Sequence, residues 1–176
     1  MTISNIKKQL EGLSQFPPVE KWNPDLCIGQ KITINREGEW FYNNSIIKNK
    51  KLINLFSTVL RKDNDEYFLV TPFEKVEVQA EIAPYKIIDY KIENNLVTLF
   101  TNLNFNFVLN SKNTSRLIKI DKTSIPVVNV RNNIEGFFER NIYYKLIDIA
   151  LADKSIENEY LYITSDNIKH VLGKIA

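Results

Sequence analysis

Two stretches of this chain repeat one another, and the repeat limits the fold more than any other feature. Lys51-Leu52-Ile53-Asn54 is matched by Lys145-Leu146-Ile147-Asp148, and Glu66-Tyr67-Phe68-Leu69-Val70-Thr71 by Glu159-Tyr160-Leu161-Tyr162-Ile163-Thr164. The separations differ by one residue, in the turn between the runs. The first run of each pair lies in apolar spacing suited to a helix, and the second has the composition of a strand. Unrelated helix–strand units also share apolar patterning, but two matches in the same order favour a duplicated strand–helix–strand unit. The first copy spans Glu39 to Val78 and reads as strand, turn, helix, turn, strand. Its corner is Thr71-Pro72, because proline cannot continue a sheet ladder.

Ile3, Ile6, Leu10 and Leu13 predict a short amphipathic helix over 2–13. Pro17, Pro18 and Pro24 forbid helix and favour an extended arm anchored by Trp22. Ile32 and Ile34 alternate with polar residues before the Arg36-Glu37-Gly38 turn, and Trp40-Phe41-Tyr42 begins the return strand. Asn43-Asn44-Ser45 offers helix-capping side chains. Leu52, Leu55, Phe56 and Val59 form the buried stripe of a helix running to about Arg61. Asp63-Asn64-Asp65 turns into a strand at 67–70. Strands are expected through 75–109, with a hairpin turn at Asn94-Asn95, and again at 116–121 and 126–131. Asn132 and Glu135 resemble a capping pair that opens a second helix, with the stripe Ile134, Phe138, Ile142, Leu146 and Ile149. A strand at 159–164 and a helix or strand at 167–174 follow. The fold class is α+β, mostly antiparallel sheet with two main helices. The lobes divide near Tyr90: residues 1–90 with the proline-rich arm, and residues 91–176.

Composition narrows the function. The 176 residues are 44% hydrophobic and 25% charged, which suits one folded domain or two small ones. A net charge of +2 is too small to argue for nucleic acid or an anionic membrane. The single cysteine, Cys27, has no partner for an internal disulfide or a thiolate zinc site, and is expected to be a small packing residue. Met1 to Leu13 has no apolar signal-peptide region, and no apolar run approaches the roughly 18 residues of a membrane span. A cytoplasmic protein is therefore expected, and the sequons at Asn43 and Asn113 are chance matches.

Several runs keep a common order and spacing: Pro17-Pro18-Val19, Trp22-Asn23-Pro24, Glu37-Gly38-Glu39-Trp40-Phe41-Tyr42, Leu55-Phe56-Ser57 with Leu60-Arg61, Leu69-Val70-Thr71-Pro72 with Glu74-Lys75-Val76, and Ala83-Pro84-Tyr85. Val130-Arg131, Glu135, Arg140 and Tyr144 continue the series. In these residues the chain resembles a bacterial family known as Domain of Unknown Function 1285. The resemblance covers most of 17–150 and is thinnest from Lys91 to Lys122. It implies a duplicated α+β fold whose C-terminal half looks superficially like a pleckstrin-homology barrel. It also implies a ligand, nucleotide-like and connected with signalling, bound at the interface of the halves, and it brings no enzymatic activity. The family tends to carry a glycine with two nearby aspartates after Trp22-Asn23-Pro24. Cys27-Ile28-Gly29-Gln30-Lys31 lacks those carboxylates, so a metal role there is not carried over.

Catalytic constellations are scarce. His170 is the one histidine, set in a pattern typical of a partly exposed strand or helix, and no nucleophile is paired with it by sequence. Ser45-Ile46-Ile47-Lys48 is a Ser-x-x-Lys string better explained by helix capping. Five scattered glycines make no phosphate loop. An anion can still meet an arginine: Arg61, Arg140 or, at the end of an apolar strand beside an expected helix start, Arg131. The competing reading of Arg131 is an ion pair with Glu74 or Glu135. Thr71, Glu74 and Lys75 are placed to line a cleft, or else end a strand as solvated residues. Trp22, Trp40 and Tyr42 can stack a planar ring, or fill the core.

The leading expectation is a non-enzymatic binding or sensor module that needs no cofactor. It holds a small anionic, nucleotide-like ligand between the lobes through Arg131, Glu74 and Lys75, with Trp22 covering a ring. A protein–protein adaptor using Phe105, Phe107 and Tyr144 of the C-terminal lobe is the alternative. An enzyme using carboxylates and lysine is the third reading.

Overall fold

Asparagine pairs in the left-handed conformation turn this chain back on itself. Asn43 and Asn44 have φ of 43° and 70°, Asn94 and Asn95 51° and 61°, Asn132 and Asn133 45° and 63°. Each pair is the two-residue turn of an antiparallel hairpin, a turn that requires positive φ at both positions. Asparagine tolerates that region because its short polar side chain bonds locally.

The computed structural model describes Lys8 and residues 16–175. The helix expected over 2–13 lies outside the described residues, apart from Lys8. Two compact units follow, one ending at Glu81 and one starting at Ile82. The first contains β1 (Leu26–Ile34), β2 (Trp40–Tyr42), β3 (Ser45–Ile46), α1 (Lys50–Thr58), β4 (Leu60–Asp63), β5 (Glu66–Val70) and β6 (Lys75–Ala80). They form one sheet in the order β3-β2-β1-β6-β5-β4, antiparallel except where β1 meets β6. The second contains β7 (Tyr85–Glu93), β8 (Leu96–Thr101), β9 (Asn106–Val108), β10 (Ser115–Ile120), β11 (Thr123–Arg131), β12 (Ile134–Phe138), α2 (Arg140–Ala152), β13 (Ile156–Glu157), β14 (Tyr160–Ser165) and β15 (Ile168–Lys174). Its sheets run β10-β11-β12-β7-β8-β9 and β13-β14-β15. Tyr90, the expected lobe boundary, is inside β7.

The same series of three strands, helix and three strands occurs in both units, from β1 to β6 and from β10 to β15. The matched sequence runs fall on α1 and α2 and on β5 and β14. The fold is thus α+β, mostly antiparallel and duplicated, as the repeat implies.

Several boundaries differ from the sequence reading. Ser45 is in β3, not at a helix start, and Asn49 caps α1 by accepting from the Leu52 amide at 3.2 Å. The Asn43-Asn44 pair is used up by its hairpin, so capping passes to the next asparagine. Asn49→Ala is expected to cost about 1 kcal/mol, read as a lower urea midpoint. Helix α1 ends at Thr58, so Arg61 is on β4, which pairs with β5. Asn132 likewise turns a hairpin rather than capping a helix; Ile134 and Phe138 are strand residues, and α2 begins at Arg140. The proline arm includes a 3-10 turn at Val19–Lys21, since Pro18 holds a backbone angle that such a turn accepts at its start. The 167–174 segment resolves as strand β15.

Trp40, Phe56, Ile32, Ile34 and Leu60 are fully buried in the first unit, and Tyr85, Ile87, Leu99 and Ile134 in the second. Gly136 sits where no side chain fits: a Cβ there would stand 3.0 Å from Val130 Cγ2 and 3.1 Å from Tyr85 Cβ. Gly136→Ala is expected to cost about 1–2 kcal/mol through overpacking, measured by thermal or urea unfolding.

Candidate functional site

Five of the expected ligand residues in the first unit, Trp22, Trp40, Arg61, Thr71 and Lys75, are spent on the fold. Arg61 donates from Nε and Nη2 to the two Asp63 carboxylate oxygens, both at 2.8 Å. Its Nη1 donates to the carbonyls of Val19 at 2.8 Å and Trp22 at 2.5 Å. Arg61 therefore pins the proline arm against β4, and Trp22 enters as a backbone acceptor on a half-buried residue. Lys75 Nζ donates to Asp63 Oδ2 at 2.8 Å and lies 3.8 Å from the centre of the Phe68 ring. The Arg61 hydrogen bonds, with Lys75 adding, hold the Asp63 carboxyl below its ordinary range. Trp40 is 0% exposed, so it fills the core and presents no face for stacking.

Thr71 is buried because it builds the β5–β6 turn: its hydroxyl oxygen accepts from the amides of Phe73 and Glu74 at 3.3 and 3.0 Å. The turn pushes Phe73 outward, 73% exposed. Leu26 pairs with Lys75 in the sheet register and is also exposed, as is Ile28, at 94%. Between Leu26 and Lys31 the β1–β6 register slips, and Gly29 adopts φ 77°, which a side chain strains to follow. Tyr42 donates to Gln30 Oε1 at 3.0 Å, and burial, then electrostatic interaction with Cys27 and Glu74, push its phenol up. Cys27 is half-buried and free.

A groove of about 580 Å³ opens elsewhere on this unit. Thr33 is the register partner of Phe41 on β2 and of Gln79 on β6, so the three stand in a row across the sheet. Phe41 and Thr33 are half-buried, and Asn44 projects from the neighbouring hairpin turn. At the rim Arg36 Nε meets Glu81 Oε2 at 3.2 Å, with both side chains about half exposed. Asn35 is committed to its own turn, accepting from the Glu37 and Glu39 amides. An aromatic face beside a hydroxyl and two amides can bind a flat ring and read its polar edge. The sequence reading missed these residues. Their signal was the outward face of β1, β2 and β6, where Thr33, Phe41 and Gln79 take the positions between core residues.

Arg131 belongs to the second unit. It ends β11 at the Asn132-Asn133 turn, not beside a helix start, and its Nε donates to the Tyr85 hydroxyl at 3.0 Å. Glu135 instead binds Arg116 through both oxygens, at 2.6 and 2.9 Å. Of the adaptor candidates, Phe107 is buried and Phe105 half-buried, stacked with it at 6.3 Å; Tyr144 is half exposed, with Arg140 5.6 Å from its ring. His170 is 1% exposed on β15, so the partly exposed position expected for it is corrected: its side chain faces inward opposite Ile163. Among the described residues no group of three His, Cys, Asp or Glu side chains is placed to hold a metal, and no helix is long and apolar enough to cross a membrane.

Residues 17–83 match the family model described as the N-terminal domain of Domain of unknown function 1285. The chain is similar to the crystal structure of a DUF1285 family protein from Silicibacter pomeroyi DSS-3, with a TM-score of 0.82 and 26% identity over 97% of this chain and 95% of that one. A DUF1285 family protein from Shewanella baltica OS155 gives a TM-score of 0.54 and 28% identity over 66% of this chain and 90% of that one. A search of the curated proteins gives no match.

Proposed function

We propose that this chain, whose residues 17–83 match the DUF1285 N-terminal domain, is a member of that family and a non-catalytic binding or sensor module. Its ligand is a small planar molecule with an anionic group, nucleotide-like in character, held in the groove of the first unit. The row Thr33, Phe41 and Gln79 beside a space of about 580 Å³ carries this reading. That volume is within the roughly 300–1,000 Å³ of small-molecule sites. Phe41 takes the stacking role expected of the tryptophans, and Asn44 and the Gln79 amide oxygen supply the polar contacts, the Gln79 Nε2 being bonded to Glu77 Oε1 at 2.5 Å. Arg36 meets the anion at the rim, where its exposed pair with Glu81 costs little to exchange. The location we assign is the cytoplasm, tested by fractionation.

Calorimetric titration with nucleoside mono- and triphosphates is expected to show binding. Phe41→Ala should weaken it about tenfold or more, the loss of one stacked ring being worth roughly 1–3 kcal/mol. No binding by any of them, or an unchanged affinity in the variant, overturns the reading.

A protein adaptor is the second reading, favoured by the exposure of Leu26, Ile28 and Phe73 on the first unit. A stoichiometric partner captured by the native chain and lost with Ile28→Asp and Phe73→Asp would replace the ligand hypothesis.

A further inference from the structure

We propose that the second unit carries a separate groove for a small aromatic anion. The duplication shows where it comes from. In the first copy β1 and β6 are joined by a parallel ladder. In the second copy the corresponding strands β10 and β15 fall in different sheets. The tie seen across that seam is a side-chain bond, Ser115 Oγ donating to the Val171 carbonyl at 2.8 Å. Where the first copy has continuous sheet, the second has a groove of about 440 Å³.

Its lining combines ring faces with cations. Tyr160 and Tyr162 are two apart on β14 and so share a face, both half-buried. Val171 is the register partner of Tyr162, and Leu117 closes the apolar wall from β10. Lys169 and Arg116 stand at the rim. Lys174 lies 5.9 Å from the centre of the Tyr160 ring. The two lysines are held by Glu157 and Glu159 in pairs with every side chain more than half exposed. Such exposed pairs hold weakly, so an anion on a ligand can displace a carboxylate at little cost. Arg116 is held more firmly, because its partner Glu135 is largely covered. Lys169 is therefore the cation that meets the ligand. A ring lies against Tyr162 and Val171, and its carboxylate or phosphate reaches Lys169. The volume suits a small molecule better than a protein surface.

Saturation-transfer NMR on the full chain with phenyl phosphate tests this, with phenol and inorganic phosphate as the ring-only and anion-only controls. Phenyl phosphate is expected to bind, with both controls weaker. Lys169→Glu, at an exposed position that leaves folding intact, should weaken it about tenfold. Tyr162→Ala should do the same, while Tyr162→Phe retains binding. Phe41→Ala should leave phenyl phosphate binding unchanged, so this groove and the one in the first unit succeed or fail independently. Phenol binding as well as phenyl phosphate, or Lys169→Glu having no effect, overturns the proposal. So does a stronger response to a glutamate-rich peptide lost in the same variants, which would mark a protein-docking surface.

Discussion

Replacing Arg61 by alanine is expected to destabilise the first unit by about 3 kcal/mol and to release the proline arm. The guanidinium side chain is 13% exposed and makes four hydrogen bonds, two to Asp63 and two to arm carbonyls. Removing it leaves a half-covered carboxylate with Lys75 alone and strips the donor from Val19 and Trp22. Breaking a buried pair typically costs about 3–5 kcal/mol; the partial exposure of Asp63 and the remaining lysine argue for the lower end. Arg61→Lys keeps the charge but cannot span carboxylate and arm together, so it should fall between. Urea unfolding measures the loss, and faster tryptic cleavage at Lys21 reports the freed arm. The pH dependence follows from Asp63. Its carboxyl is held below the ordinary range, so its contribution is complete above the unfolded value of about 3.9 and is lost as pH falls through the depressed one. Arg61→Ala should flatten the stability curve in that acid window. An unchanged curve would mean that the pairing adds nothing.

Mild acid is expected to weaken the second unit through His170. Neither ring nitrogen makes a hydrogen bond of full geometry among the described residues, the Ser165 backbone being the polar group beside the ring. Burial pushes the imidazole below its usual value, with the Ser165 backbone and the Asp166 carboxylate offsetting part of the effect. Its surroundings are otherwise apolar: Ile163 opposite and Leu172 two residues on are both buried. The native state therefore favours the neutral ring. Below about pH 6.5 the unfolded chain binds the extra proton first, and stability falls by up to about 1.4 kcal/mol per pH unit until the folded value is passed. His170→Leu should remove that slope. At neutral pH it should be close to neutral or stabilising, since it replaces two buried, unsatisfied nitrogens with apolar atoms. Urea curves at pH 7, 6 and 5 measure both effects. A slope identical in the variant would assign the acid response to other groups.

Of the two, Arg61 shows how a correct choice of residue can carry the wrong role. It was singled out for binding an anion and it does bind one, but the anion is Asp63, two residues along the same strand. Helix periodicity through Val59 carried the expected helix on to Arg61 and hid that strand pairing. His170 shows the converse. Its neighbours Lys169 and Asn167 are polar, and alternation alone left open which face of β15 the ring takes. Packing of Ile163 and Leu172 decides it.

The repeated runs on α1 and α2, and on β5 and β14, were enough to determine a duplicated α+β chain, because apolar spacing and turn residues act over a few positions. The Asn94-Asn95 hairpin is legible for the same reason; Asn43-Asn44 and Asn132 read as caps in the sequence because a turn and a cap draw on the same side chains. Only the tertiary structure decided that Trp40 is core, that Arg61 ties down the arm, and that Thr33, Phe41 and Gln79 stand in one row. Those outcomes depend on strand register between β1, β2 and β6. Register is set by contacts far apart in sequence, and a shift of one residue would turn the row to the other face.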